Sequence, residues 1–240
     1  MALSSEAAGG GTPVRKALYA FVAVAAVVFA IVAAAAHTTP YFFFDLPTTQ
    51  FLQSHRTPLL DAVMRAASWP GYAPQFALMF GIILAVFLWL RLRLEAAIMT
   101  GALLGVGALG YLLKPLVGRT RPSDSLVWVN DHLTKDPYTF TAGHAHTYVV
   151  VWGWIIYLAL TRMRRRPVLK AVLVVVSVLV MVVTGISRVY LGDHWASDVL
   201  AGYLLGGIWL ALEILVYVRL RDSRAHARRS RAPAAAGAKS

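Results

Sequence analysis

ALYAFVAVAAVVFAIVAAAA, residues 17–36, is a run of 20 residues without a single charge. As a helix it rises roughly 30 Å, the thickness of a bilayer's hydrocarbon core. Working outward, similar apolar stretches recur at 72–90 (YAPQFALMFGIILAVFLWL), 96–114, 145–161, 168–187 and 195–218, with short charged clusters between them. Of the 240 residues 58% are hydrophobic and the mean hydropathy is +0.63, whereas soluble domains sit near ~45–50% apolar. The pattern predicts an all-α, polytopic membrane protein: six transmembrane helices in one bundle, forming a single domain over 14–220. A cleaved signal peptide is the competing reading of 17–36, but a secretory apolar core is usually only about 7–15 residues long.

The chain carries 23 Lys+Arg against 11 Asp+Glu, a formal net charge of +12. In a soluble protein that excess would raise nucleic acid as a partner; here its placement argues against one. With the N-terminus inside, Arg15, Lys16, Arg91, Arg93, Arg162, Arg164, Arg165, Arg166, Lys170 and seven residues from Arg219 to Lys239 share one side, 16 of the 23. The other side keeps Arg56, Arg65, Lys114, Arg119, Arg121, Lys135 and Arg188. The bias predicts a plasma-membrane protein with both termini cytoplasmic. Residues 1–13 and the basic tail 221–240 read as disordered. The segment 37–71 reads either as a surface helix, with Leu59, Leu60, Val63, Met64 and Ala67 at helical spacing, or as a plain loop. Gly101, Gly105, Gly107 and Gly110 read as helix-packing positions. There is no cysteine, which excludes disulfides, thiolate catalysis and Cys-based metal sites.

Three segments fall on the outer side of this topology. Lys114-Pro-Leu-Val-Gly-Arg-Thr-Arg121-Pro122 ends the third span, Phe140-Thr-Ala-Gly143-His144 precedes the fourth, and Ser187-Arg188-Val-Tyr-Leu-Gly-Asp-His194-Trp-Ala-Ser-Asp198 joins the last two. A lone Lys or Arg at a helix end ordinarily snorkels to the headgroups. Lys114, Arg121 and Arg188 together with two histidines point instead to an anion site, because converging cations near a low-dielectric boundary repel unless an anion offsets them. On a helix, His194 and Asp198 would share one face, so the carboxylate would accept the Nδ1 hydrogen and leave Nε2 as nucleophile or base. Asp193 reads as a helix cap. His144 suits proton transfer to a leaving oxygen. His146, with His37, His55, His132 and His226, reads as structural. Two histidines with Asp198 are also a conceivable zinc set, but the neighbouring cations oppose a divalent ion, so no metal and no cofactor is expected.

The pattern Lys-x6-Arg-Pro, then Gly-His, then Ser-Arg-x5-His-x3-Asp resembles the tripartite signature of the type 2 phosphatidic acid phosphatases, relatives of the vanadium haloperoxidases. The resemblance covers roughly residues 50–215. It implies a metal-independent hydrolase of lipid phosphomonoesters or diphosphates, acting at the extracytoplasmic interface through a phosphohistidine on His194. Asp198 would orient that imidazole and His144 would protonate the leaving group. Lys114, Arg121, Arg188 and the Gly143 N–H would hold the phosphate. A polyprenyl diphosphate that carries cell-wall precursors is the first substrate implied, with phosphatidic acid and phosphatidylglycerol phosphate as alternatives. The middle motif departs from the family's Pro-Ser-Gly-His, since Ala142 stands where the serine hydroxyl is usual. That departure keeps open a catalytically weak or inactive lipid-phosphate binder as the second reading. A transporter is disfavoured because no broken half-helices interrupt the spans.

Overall fold

The computed structural model describes residues 13–129 and 136–231. The expectations placed on residues 1–12, on His132 and Lys135, and on 232–240 lie outside them. Among the described residues there are eight α-helices and no strand: α1 (Pro13–Thr38), α2 (Asp45–Ser54), α3 (Pro58–Ser68), α4 (Ala73–Trp89), α5 (Arg93–Val117), α6 (Gly143–Arg162), α7 (Pro167–Tyr190) and α8 (Ala196–Arg231). A 3-10 turn, Trp69–Gly71, links α3 to α4.

Each of the six apolar runs is a helix, within a few residues at most ends. Length and composition suit α1, α5, α7 and α8 (to Arg224) to crossing a bilayer. The bent pair Pro58–Gly71 and Ala73–Trp89, meeting at 67°, qualifies as a fifth. α4 alone has only 17 residues, and α6 begins with the polar stretch Gly-His-Ala-His-Thr. The segment 37–71 is neither one helix nor a loop: it holds α2 and α3. On α3, Leu60 and Met64 pack on Val129, Tyr190 and Leu191, while Leu59 and Val63 face outward. The disorder expected of 221–240 does not hold for its first part, because α8 continues without a break to Arg231.

α6 and α8 form the centre of the bundle. Glycines on α8 let them close together: a Cβ on Gly202 would meet Ala145 Cβ at 2.8 Å, and one on Gly206 would meet the His146 carbonyl at 2.8 Å. Small residues permit such backbone approach in membrane bundles. On α5, Gly105 lies under Trp209 and Gly110 under His146, while Gly101 and Gly107 face open space. α1 packs along α8, with Phe21 over Gly207, and its Phe29 ring meets Phe140 at 5.9 Å. At the end of the bundle opposite the site, Glu95 on α5 is buried with Arg162 (2.6 Å) and the Tyr217 hydroxyl (2.9 Å).

Candidate active site

Three chain reversals deliver the site residues to one end of the bundle. α5 stops one turn after Lys114, where Gly118 adopts a left-handed conformation (φ 65°) and its N–H caps the Lys114 carbonyl at 2.9 Å. A residue without Cβ takes that conformation at little cost. After α7, the N–H groups of Asp193 and His194 both reach back to the Arg188 carbonyl (3.1 and 3.2 Å), with Gly192 at φ 71° making the reversal possible. Arg188 and His194 thereby face the same space. α6 starts at Gly143, and no side chain caps its first turn. Its leading N–H groups are the kind that favour an anion.

These ends surround a cavity of about 560 Å³ lined by Lys114, Arg121, Gly143, His144, Arg188 and His194, with Tyr72 and the first residues of α4 across from them. Six of the seven residues singled out from the sequence share this wall. The seventh, Asp198, lies fully buried behind it.

Asp198 makes no direct hydrogen bond to His194, contrary to the expected one-face pairing. His194 precedes α8, so the spacing of a helical turn does not apply. Its Nδ1 instead meets the Thr139 carbonyl and the Thr139 hydroxyl, both at 2.9 Å. A carbonyl only accepts, so Nδ1 carries the hydrogen. The Thr139 hydroxyl donates onward to Asp198 Oδ2 at 2.7 Å. The Nε2 lone pair is then the free one. Burial, followed by the charges of Arg188 and Arg121, pushes the His194 imidazole well below its ordinary value of 6.5, so it is neutral at pH 7.

Asp193 is not a helix cap. Its carboxylate accepts from Arg188 at 2.8 Å, and its carbonyl accepts from Arg121. Arg188 is also held by the hydroxyls of Ser68 and Tyr72, the latter at 2.8 Å. Lys114 pairs with Asp136, whose carbonyl accepts from Arg121 Nε at 2.8 Å. Burial draws the Arg121 guanidinium below its usual value, and the Asp193 charge works against that. The three cations are therefore pre-aimed by two carboxylates, with one positive charge left over. Among the described residues no group of three or more His, Asp or Glu is spaced to hold a metal ion.

His144 Nε2 lies 3.2 Å from the Ser68 carbonyl, and the ring is edge-on to Tyr72 at 5.1 Å. Gly71 is where the chain passes the ring, and a Cβ there would fall 1.9 Å from His144 Cδ2. His146, read as structural, is buried and bonded to Thr141 Oγ1 at 3.1 Å. Thr141 therefore faces away from the cavity. Ala142 packs with Ala145, Val189 and Val199.

Sequence reasoning missed Thr139 and Arg119. Arg119 is 2% exposed and binds Asp198 (2.5 Å), Asp45 (2.8 Å), Ser197 (2.8 Å) and the Pro40 carbonyl (3.1 Å). It lies between Lys114 and Arg121 and carries no pattern of its own. The one available signal was that a third outer cation in one short loop needs a counter-charge.

A family model described as the PAP2 superfamily matches residues 95–222, more than half of the chain and inclusive of all three segments. The chain belongs to the PAP2 superfamily. PAP2 membership makes it a multi-pass membrane hydrolase acting on phosphate esters of lipids. Among curated relatives, phosphatidylglycerophosphatase B of Bacillus subtilis (strain 168) is 27% identical over 179 residues, 74% of this chain and 85% of the relative. The fold is similar to the crystal structure of the first transmembrane PAP2-type phosphatidylglycerolphosphate phosphatase from Bacillus subtilis, with TM-score 0.70 and 24% identity over 82% of this chain and 96% of that one. The crystal structure of Aquifex aeolicus LpxE is a weaker likeness in fold, with TM-score 0.52 and 20% identity over 72% and 96% of the two chains.

Proposed function

We propose that the protein hydrolyses a lipid phosphomonoester or diphosphate by a metal-independent phosphohistidine route, at the outer face of the plasma membrane. One observation carries this reading: an imidazole with Nδ1 tied back, His194, shares a cavity with Lys114, Arg121 and Arg188. The three cations and the Gly143 N–H hold the phosphoryl oxygens. His194 Nε2 attacks phosphorus as the bond from phosphorus to the lipid oxygen breaks, and His144 gives that oxygen its proton. Water, deprotonated by His144, then displaces the imidazole and releases phosphate. Positioning and fixed charge supply most of the catalysis in phosphoryl transfer. Asp198 acts on His194 through Thr139 as a positioning residue.

Phosphatidylglycerol phosphate heads the substrate list, because the similar B. subtilis proteins carry that activity in their names. Phosphatidic acid and a polyprenyl diphosphate are the other candidates. Phosphate release from these three lipids by the purified protein tests the reading. The expected results are turnover that disappears in His194→Ala, inhibition by vanadate, and indifference to chelator. Turnover that survives His194→Ala, or that chelator abolishes and a divalent ion restores, refutes the mechanism.

Ala142 favours the second reading, a weak or inactive lipid-phosphate binder. A missing hydrogen bond to a charged group is worth about 1.5–3 kcal/mol, or about tenfold to a hundredfold in rate. Binding without turnover, converted to turnover by Ala142→Ser, would select it.

The topology proposed has α1, α4, α5, α6, α7 and α8 as six spans, with both termini cytoplasmic. The support is the basic-residue asymmetry, 16 against 7 of the 23 Lys+Arg, and the match of all six apolar runs to helices. The chain lacks cysteine, so single cysteines at Trp128 and Arg165 can be labelled from opposite sides. Labelling of both from one side overturns this topology.

A further inference from the structure

A second cavity, of about 600 Å³, lies at the other end of the bundle, lined by Arg91, Arg93, Arg162, Arg221 and Arg224 with Glu95. Arg93 opens α5 and Lys114 is near its close, so the two cavities are roughly 30 Å apart along that helix. The charges around the second are not balanced. Glu95 is committed to Arg162 and Tyr217, and the nearby Asp222 is paired with Arg15. Arg91, Arg93, Arg221 and Arg224 have no carboxylate partner among the described residues.

Two features of the backbone serve this cluster. The turn from α4 to α5 passes through Arg91 at φ 59°, the one non-glycine residue with positive φ among those described. An L-residue with a long side chain is strained there, and such strain persists where the surroundings or a function hold it. α8 also runs on as a helix beyond its apolar stretch, which sets Arg221 and Arg224 three residues apart on one face, over that turn. Leu92 and Leu94 add apolar wall beside the arginines. A volume of this size is within the range of ligand pockets, about 300–1,000 Å³.

We infer that this cavity binds the phosphate headgroup of an anionic phospholipid from the leaflet opposite the catalytic site. Guanidinium forks match phosphate oxygens two at a time, and basic pockets at the ends of membrane helices suit acidic headgroups. A lipid is favoured over free phosphate because the cavity opens at the ends of spanning helices with leucines on its wall. The inference is independent of the catalytic reading, since none of its residues lines the first cavity.

Thermal unfolding of the purified full chain in mixed micelles tests it, with phosphatidylglycerol or phosphatidylcholine as the added lipid. A ligand that binds only the folded state raises Tm with concentration. Phosphatidylglycerol is expected to raise Tm above phosphatidylcholine. The shift should shrink stepwise through Arg91→Gln, Arg91→Gln/Arg221→Gln and Arg91→Gln/Arg221→Gln/Arg224→Gln, with at least a tenfold loss of apparent affinity in the triple variant. The matching Lys series should retain part of it. Hydrolysis of a short-chain soluble substrate should stay within twofold of wild type throughout. An undiminished shift across the Gln series overturns the site. Inorganic phosphate at matched concentration reproducing the whole variant-sensitive shift overturns the lipid as its ligand.

Discussion

Thr139→Val is the cleanest probe of the site, because it removes one hydroxyl and keeps the side chain's shape. That hydroxyl connects two buried groups, meeting His194 Nδ1 at 2.9 Å and donating to Asp198 at 2.7 Å. The Thr139 carbonyl still accepts from Nδ1, so the tautomer survives. Asp198 keeps Arg119 and the Trp195 N–H, so the fold survives as well. What is lost is the path by which the carboxylate stabilises positive charge on the imidazole as it attacks. A hydrogen bond to a charged group is worth about 1.5–3 kcal/mol, which corresponds to a fall in kcat of about tenfold to a hundredfold. KM should barely move, because Thr139 does not line the cavity. Thr139→Ser, which keeps the hydroxyl, should recover most of the rate. Phosphate release measured at saturating and limiting lipid separates the two parameters. If Thr139→Val retains kcat within twofold of wild type, the relay from Asp198 through Thr139 to His194 is wrong.

Gly71→Ala puts a methyl 1.9 Å from His144 Cδ2, so the ring must leave its place; kcat is expected to fall more than a hundredfold, with little change in Tm. Arg119→Met strands the buried carboxylates of Asp45 and Asp198, and breaking a buried pair costs about 3–5 kcal/mol, so a lower Tm and poor recovery of folded protein are expected. The low proton affinity of His194 predicts an imidazole that stays neutral as pH falls through 6.5. Protonation removes the nucleophile, so an NMR titration of the free enzyme should show the His194 ring charging only well below that pH, and a midpoint at or above 6.5 contradicts the site as described.

The six apolar runs were legible because a membrane helix is a composition signal: α1 and α4 to α7 begin and end close to where hydropathy changes, and α8 begins there. The approach of α6 to α8 was less legible. It depends on Gly202 and Gly206, which look no different in sequence from Gly101 and Gly107, and only the partner across the gap separates a packing glycine from an idle one. The extension of α8 to Arg231 escaped notice because charge-rich, Ala-rich sequence suits both a disordered tail and an exposed helix.

The six residues that share the cavity were legible because three cations, two imidazoles and a Gly-His backbone fit the requirements of one anion, and that fit can be read without coordinates. The bonds that orient them were not found. His194 and Asp198 stand four apart, and four apart means one face only where a helix includes both. α8 starts at Ala196, two residues after His194, because the chain is still reversing through Gly192 to bring Arg188 alongside. The geometry that puts Arg188 and His194 on one wall is therefore the same geometry that separates His194 from Asp198. A third residue has to close the gap, and the loop before α6 supplies Thr139, 55 positions away. The spacing of His194 and Asp198 thus marks where the two residues gather, while the contact between them passes through a residue that no local pattern marks.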